Sequence, residues 1–382
     1  MKFRRLIALC IAVIMVFSMS ACNGSTDNGG KGSGNKHVVT DIMGREVEIP
    51  DGISRIAAMN GPSYEMVFCL GGADRVVMVK KNQTSNYPVA LLANPDLANY
   101  DGLNNVSPSA VVNIEEYLSR NIDLVLYYNN ATELKKFEDV GIPAVVLTLS
   151  ASDISSLDAC LALSLDEYKT RNARGMKVLS EVLGGDAIAK YEKWEKYTSD
   201  LIDLMYERTK DLKDEDRVTL YWGNTWGENL LSSYLITNRA YEINLAGGKL
   251  LGPTTGGNFP EINEEQLFDW DPEVILIDNH GNSPDLVKDF VMTNSKWSTL
   301  KAVETKRVYR IPAGVFFMDK GSTTALMTLW VATIIQPELF SDINMIEELQ
   351  KYYKEFYEFD LSEENAQKIL DGWYYSSGEP NE

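Results

Sequence analysis

The run "VNIEEYLSRNIDLVLYYN" at 112–129 returns as "INEEQLFDWDPEVILIDN" at 262–279. Each copy opens on an Asn and two Glu, passes through a short helical stretch and ends in an apolar strand. The matched Glu115 and Glu265 lie 150 positions apart. A chain that builds one helix–strand unit twice is expected to have two similar halves. That restricts the fold more than composition does.

Alternation on either side of the repeat fits this. "RIAAMN" (55–60), "RVVMVK" (75–80), "DLVLYY" (123–128) and "AVVLTL" (144–149) read as strands rich in β-branched or aromatic residues. "SYEMVFCLGG" and "ATELKKFEDVG" read as helices between them, the second closing on Gly141 ahead of Pro143. Strands alternating with helices imply a parallel sheet covered by helices. A second series begins at "RVTLYWG" (217–223), continues through "EVILID" (273–278) and "RVYRIP" (307–312), and ends in an apolar helix at 322–335 and an acidic, aromatic-rich tail. Residues 153–213 contain neither Pro nor a strand pattern, and 186–213 carries apolar residues at helical spacing. A helix of that length spans about 40 Å, and a continuous helix lacks the loop hinges that absorb large backbone changes. The division expected is an N-terminal lobe over 37–152, a helical segment over 153–213 and a C-terminal lobe over 214–382. A helical insertion within one large domain is the alternative.

The first 36 residues belong to neither half. "MKFRRLIALCIAVIMVFSMSAC" has a basic start, an apolar run from Leu6 to Phe17 and small residues before Cys22, the layout of a signal peptide over 1–21. Met19-Ser20-Ala21-Cys22 resembles a bacterial lipobox, which would make Cys22 the lipidated N-terminus. The Gly-, Ser- and Asn-rich stretch over 22–36 then reads as a flexible tether. An ordinary secretion signal is the alternative. Loss of Lys2, Arg4 and Arg5 with the leader takes the net charge from −19 to −22. So acidic a chain repels phosphate backbones, which argues against nucleic acid as a partner. Of the remaining cysteines, Cys69 and Cys160 sit among apolar neighbours and read as two buried thiols.

The opening of the globular part, "VVTDIMGREVEIPDGISRIAAMNGPSYEMVFCLGGADRVVMV", resembles the substrate-binding proteins of iron-siderophore, haem and vitamin B12 importers, the class with a rigid helix between lobes. The resemblance rests on Thr40, Asp41, Gly44, Arg45, Val47, Pro50, Arg55, Ile56, Glu65, Leu70, Gly71, Asp74, Arg75, Val76 and Val77. It extends over roughly 38–372 through the repeated unit, "LAGGKLL" and "LWVATIIQPELF". It implies an α/β fold of two Rossmann-like lobes, each a mainly parallel sheet flanked by helices, joined by a single long rigid helix. It implies a monomeric, lipid-anchored extracytoplasmic protein that carries cargo to an ABC importer. Glu115 and Glu265 would be the acids that dock each lobe onto basic residues of two transmembrane permease subunits. From the residues alone, Asn113 with Glu116 and Asn263 with Gln266 each match a capping box, and acids suit a first helical turn.

Ligands of open α/β sheets sit beyond the carboxyl ends of strands. The loops there are rich in rings and carry lysines rather than arginines. Tyr64, Lys81, Tyr127, Tyr128, Trp222, Trp226, His280, Phe316 and Lys320 are the expected cleft residues. Such a cleft suits a ferric chelate, a ferric siderophore first; a corrinoid, haem, a nickel chelate or molybdate/tungstate are alternatives. Of the two histidines His37 lies beside the tether, and one His cannot make a bare transition-metal site; no covalent cofactor is expected. A lipid-anchored hydrolase is the reading from another class, but no G-x-S-x-G, H-E-x-x-H, P-loop or Gly-rich dinucleotide turn is present. The chain is therefore read as a carrier and not an enzyme.

Overall fold

The computed structural model describes residues 35–104, 106–149, 153–224, 230–278 and 284–375. Cys22 and the leader lie outside the described residues. A hairpin of β1 (Lys36–Thr40) and β2 (Glu46–Pro50) precedes the first sheet. That sheet contains β3 (Ile56–Ala58), β4 (Val76–Lys80), β5 (Asp101–Leu103), β6 (Leu124–Tyr127) and β7 (Ala144–Val146), all parallel, in the order β5-β4-β3-β6-β7. Its helices are α1 (Ser63–Cys69), α2 (Pro88–Ala93), α3 (Ile114–Leu118) and α4 (Ala131–Asp139).

Next come α5 (Leu157–Leu161), α6 (Leu165–Leu183) and α7 (Asp186–Thr209). The run read as one helix from 186 to 213 is helical over Asp186–Thr209. It packs against α6, from which the positive-φ glycines Gly184 and Gly185 divide it. An L side chain is strained in that conformation, so two glycines break the helix cleanly.

The second sheet contains β8 (Val218–Asn224), β9 (Ser232–Ser233), β10 (Gly248–Leu251), β11 (Val274–Ile277) and β12 (Val308–Arg310). The parallel order is β10-β8-β11-β12, with β9 antiparallel on β8. Its helices are α8 (Ile236–Leu245), α9 (Glu264–Trp270), α10 (Pro284–Thr293), α11 (Lys301–Glu304) and α12 (Thr324–Ile335), followed by α13 (Met345–Phe356) and α14 (Glu363–Leu370).

The repeat is now explained. Its copies are α3–β6 and α9–β11, and each strand pairs with the first strand of its sheet in chain order, β6 with β3 and β11 with β8. In both sheets the order reverses there, so each copy forms one side of a topological switch point, the place where open α/β sheets bind ligands. Asn263 and Gln266 make a complete capping box on α9. On α3 Asn113 caps the Glu115 N–H, but Glu116 turns to Arg120 instead of closing the box.

Strand alternation builds three cores. Leu124 and Leu126 face inward, as do Leu220, Trp222, Val274 and Leu276, and these join α6, α7, α12 and α13 in one core continuous between the sheets. Val125 and Tyr127 face an outer core on the first sheet, and Tyr221, Ile275 and Ile277 face one on the second. The acidic tail reaches back to the first sheet's helices. Phe68 of α1 stacks on Tyr357, and Tyr87 meets Tyr374. Cys69 and Cys160 are both free and buried, as their neighbours implied.

Candidate functional site

A cavity of about 500 Å³ opens at the switch points. From the first sheet it takes Asn60, Gly61 and Pro62 after β3, Lys80 at the end of β4 and Tyr128 just past β6. From the second it takes Tyr234 after β9, Thr237, Arg239, Tyr241 and Glu242 on α8, and Phe316, Asp319, Lys320 and Gly321 after β12. The third wall is α6 with the segment before it, through Asp153, Cys160, Tyr168, Arg171 and Arg174.

Arg239 is the fixed charge of this site. Its Nη1 donates to both Glu242 oxygens at 3.2 and 3.0 Å, and Nη2 donates to Asp319 Oδ2 at 2.9 Å. The guanidinium lies 5.2 Å from the rings of both Trp222 and Tyr234, and the Tyr234 hydroxyl donates to Asp319 at 3.2 Å. Burial pulls its pKa down, but Glu242 and Asp319 outweigh burial and hold it above the ordinary arginine value. The cation is therefore permanent, with most of its freedom already removed.

Lys80 donates to the Tyr128 hydroxyl at 3.3 Å, and burial pushes its pKa down. Lys320 is pushed down by burial as well, with Asp319 opposing. Arg171 and Arg174 share Asp153, Arg174 Nη1 at 2.9 Å. Among the described residues five cationic side chains and three carboxylates line the cavity. In a chain of net charge −19 that local excess is a strong bias toward an anion.

The wall is otherwise aromatic. Tyr168 stacks on Tyr241 with ring centroids 4.4 Å apart, and Phe316 stacks on Tyr87 at 5.2 Å. The Tyr168 hydroxyl and Arg239 Nε are both buried without a hydrogen-bond partner among the described residues.

Three of the expected residues, Tyr128, Phe316 and Lys320, line this cavity. Four are packed elsewhere. Tyr64 is buried on the far side of α1, accepting from Asn94 at 2.9 Å and stacked on Phe68. Tyr127, by strand alternation, enters the outer core against Phe137, and it is the next residue that emerges at the strand end. Trp222 faces the inner core beneath Arg239, which it supports from behind. Lys81 follows the last residue of β4 and lies exposed with its stem over Gly102, so Lys80 reaches the cavity instead. Trp226 and His280 lie outside the described residues. Arg171, Arg174 and Arg239 lie outside the strand-end loops where ligands of open α/β sheets are expected, because they project from helices α6 and α8. The one local signal was spacing: Arg171 with Arg174, and Arg239 with Glu242, sit three apart and so share a helix face.

Glu115 and Glu265 are both exposed in the first turns of α3 and α9. Their neighbours are engaged: Glu116 pairs with Arg120 at 2.5 Å, and Glu264 accepts from Trp297 Nε1 at 3.0 Å.

A sequence profile described as periplasmic binding protein matches residues 56–315. The molybdate-binding protein MolA of Haemophilus influenzae is 25% identical over 385 residues, covering 96% of this chain and 99% of that protein. A periplasmic solute-binding protein from Veillonella parvula superposes with a TM-score of 0.71 at 25% identity, over 88% of this chain and 97% of that one. Helicobacter pylori CeuE in its nickel–histidine complex gives 0.68 at 20% identity, over 88% and 99%.

Proposed function

Because the chain belongs to the periplasmic binding protein family, the extracytoplasmic solute-binding components of ABC importers, we propose that its cargo is a compact anionic metal complex, a ferric chelate first. The carrying observation is the cavity. Its excess of cations selects an anion, and its aromatic wall and 500 Å³ volume suit a chelate rather than a bare ion. Pockets for drug-sized ligands run roughly 300–1,000 Å³, a range that contains this cavity.

A second reading is a molybdate-type oxyanion. It is supported by the relative that matches the chain over nearly its full length and is named for molybdate. The permanent Arg239 cation would serve that cargo equally well.

Exposed Glu115 and Glu265 would dock onto basic sites of two permease subunits, one from each switch point. Placing the contacts in different halves fixes orientation, and an acidic body approaching basic sites associates faster. Cys22 would carry the lipid that holds the protein at the membrane surface, with the stretch after it as a tether that ends before Asn35, since Asn35 and Lys36, expected to belong to it, already bond to the hairpin. Among the described residues no helix is long and apolar enough to cross a membrane.

Titration of the full chain with ferric citrate, a ferric catecholate, molybdate, nickel–histidine, haem and cobalamin tests the cargo. Tryptophan fluorescence is a suitable signal because Trp222 lies against Arg239. Saturable binding of a ferric chelate alone is expected. Selective binding of molybdate would favour the second reading, and selective binding of cobalamin would overturn the anionic-cargo assignment.

A further inference from the structure

Two hydrogen-bond donors at the cavity have no acceptor among the described residues. The Tyr168 hydroxyl, from α6, and Arg239 Nε, from α8, are both buried and unpartnered. The residues themselves are at least nine-tenths buried, at 7% and 9% exposure, and both line the cavity. Buried donors are almost always satisfied, because leaving one unpaired forfeits the hydrogen bonds water would have made. Here Arg239 Nη1 is committed to Glu242 and Nη2 to Asp319, and Tyr168 is held in place by its stack on Tyr241. Two rigid, unmatched donors from different helices, beside the same cavity, describe a site that awaits an acceptor.

We propose that Tyr168 and Arg239 together grip one anionic oxygen of the cargo. Resting on the anionic-cargo reading, this narrows it to the chemistry of the atom held: a deprotonated oxygen, either the carboxylate or catecholate of a chelator or the oxo group of an oxyanion. Arg239 supplies one N–H of the cation it shares with Glu242 and Asp319, and Tyr168, stacked on Tyr241 of the same α8, supplies the second donor from α6. A ligand that presents no oxygen here leaves both groups unsatisfied, and a neutral oxygen satisfies them without the gain of a charge-assisted bond.

Tyr168→Phe is the decisive variant, since it removes one oxygen that nothing among the described residues satisfies. In the absence of cargo the full chain should unfold at the wild-type temperature or slightly above it. Its affinity should fall roughly tenfold or more, the scale of a charge-assisted hydrogen bond. Ferric citrate and molybdate are the two probes. Loss with ferric citrate assigns the carboxylate source, and loss with molybdate assigns the oxo source. Wild-type binding that Tyr168→Phe leaves intact overturns this inference alone. A wild-type chain that binds no anionic probe overturns the anionic-cargo reading and the inference with it. A lowered unfolding temperature in the empty variant would also count against the inference, because it would reveal a partner for the hydroxyl within the fold.

Discussion

Glu65 on α1 and Ser322 at the foot of α12 meet in the interior although 257 positions separate them: the Ser322 N–H donates to Glu65 Oε2 at 2.9 Å, and the Ser322 hydroxyl donates to Oε1. Tyr357 donates to the same carboxyl at 2.5 Å, and Trp194 of α7 donates to the Ser322 carbonyl at 3.0 Å. One acid thus ties the first sheet's helix to the second sheet's helix, the tail and α7. Gly321 makes this approach possible, with φ +76° and no room for a Cβ against Glu65.

Burial raises the Glu65 pKa, and the hydrogen bonds from Ser322 and Tyr357 only partly oppose it. The folded state therefore favours the neutral acid. Its contribution is complete below the ordinary carboxylate range and is lost as pH rises toward the raised folded value. Glu65→Gln imitates the neutral form. Across a series from about pH 4 to about pH 8, the variant should gain unfolding temperature relative to wild type as pH rises. A constant difference at every pH would show that Glu65 does not titrate in this range.

Arg239→Met should be among the most damaging single changes. It leaves Glu242 and Asp319 buried without their shared cation, which costs about 3–5 kcal/mol when one partner of a buried pair is removed. The deficit should shrink at acid pH, where the orphaned carboxyls take up protons. Denaturant unfolding of both proteins at two pH values measures this.

Gly175 sits where α6 crosses the end of the first sheet, and a methyl group there would overlap the Leu147 carbonyl oxygen. Backbone cannot move aside as a side-chain tip can. Gly175→Ala should cost about 1–3 kcal/mol by overpacking. It should also weaken cargo binding, because α6 carries Tyr168, Arg171 and Arg174 into the cavity wall.

Glu115→Ala and Glu265→Ala should leave stability and cargo affinity unchanged, both acids being exposed. Uptake through the importer reconstituted in vesicles should fall about tenfold for each, the scale of one close ion pair at an interface. Glu116→Ala is the control, since that acid is already paired with Arg120. Equal losses in all three variants would point to general charge instead of two docking points.

Much of the architecture could be read from residue order. Strand periodicity located β3, β4, β6, β7, β8, β11 and β12 to within a few residues, because burial on both faces demands continuous apolar runs. β5, β9 and β10 escaped because Asp101-Gly102-Leu103, Ser232-Ser233 and Gly248-Lys249-Leu250-Leu251 are not continuous apolar runs, as did the division between α6 and α7 at the glycine pair.

The candidate site was less legible. Tyr127 and Tyr128 look alike in sequence, yet pleat geometry sends the first into the outer core and leaves the second at the cavity. Lys81 and Lys80 differ in the same way.

By itself, then, the sequence determined the two-halved α/β pattern, the repeated capped helices that present Glu115 and Glu265, and the acidity of the whole. Those properties are local or summed, so neighbours in the chain suffice to set them. Only the tertiary structure decided that Tyr168, Arg239, Asp319 and Lys80 would share a cavity. They come from α6, α8, the loop after β12 and the end of β4, and packing of two sheets around a common core, not chain proximity, brings their side chains together.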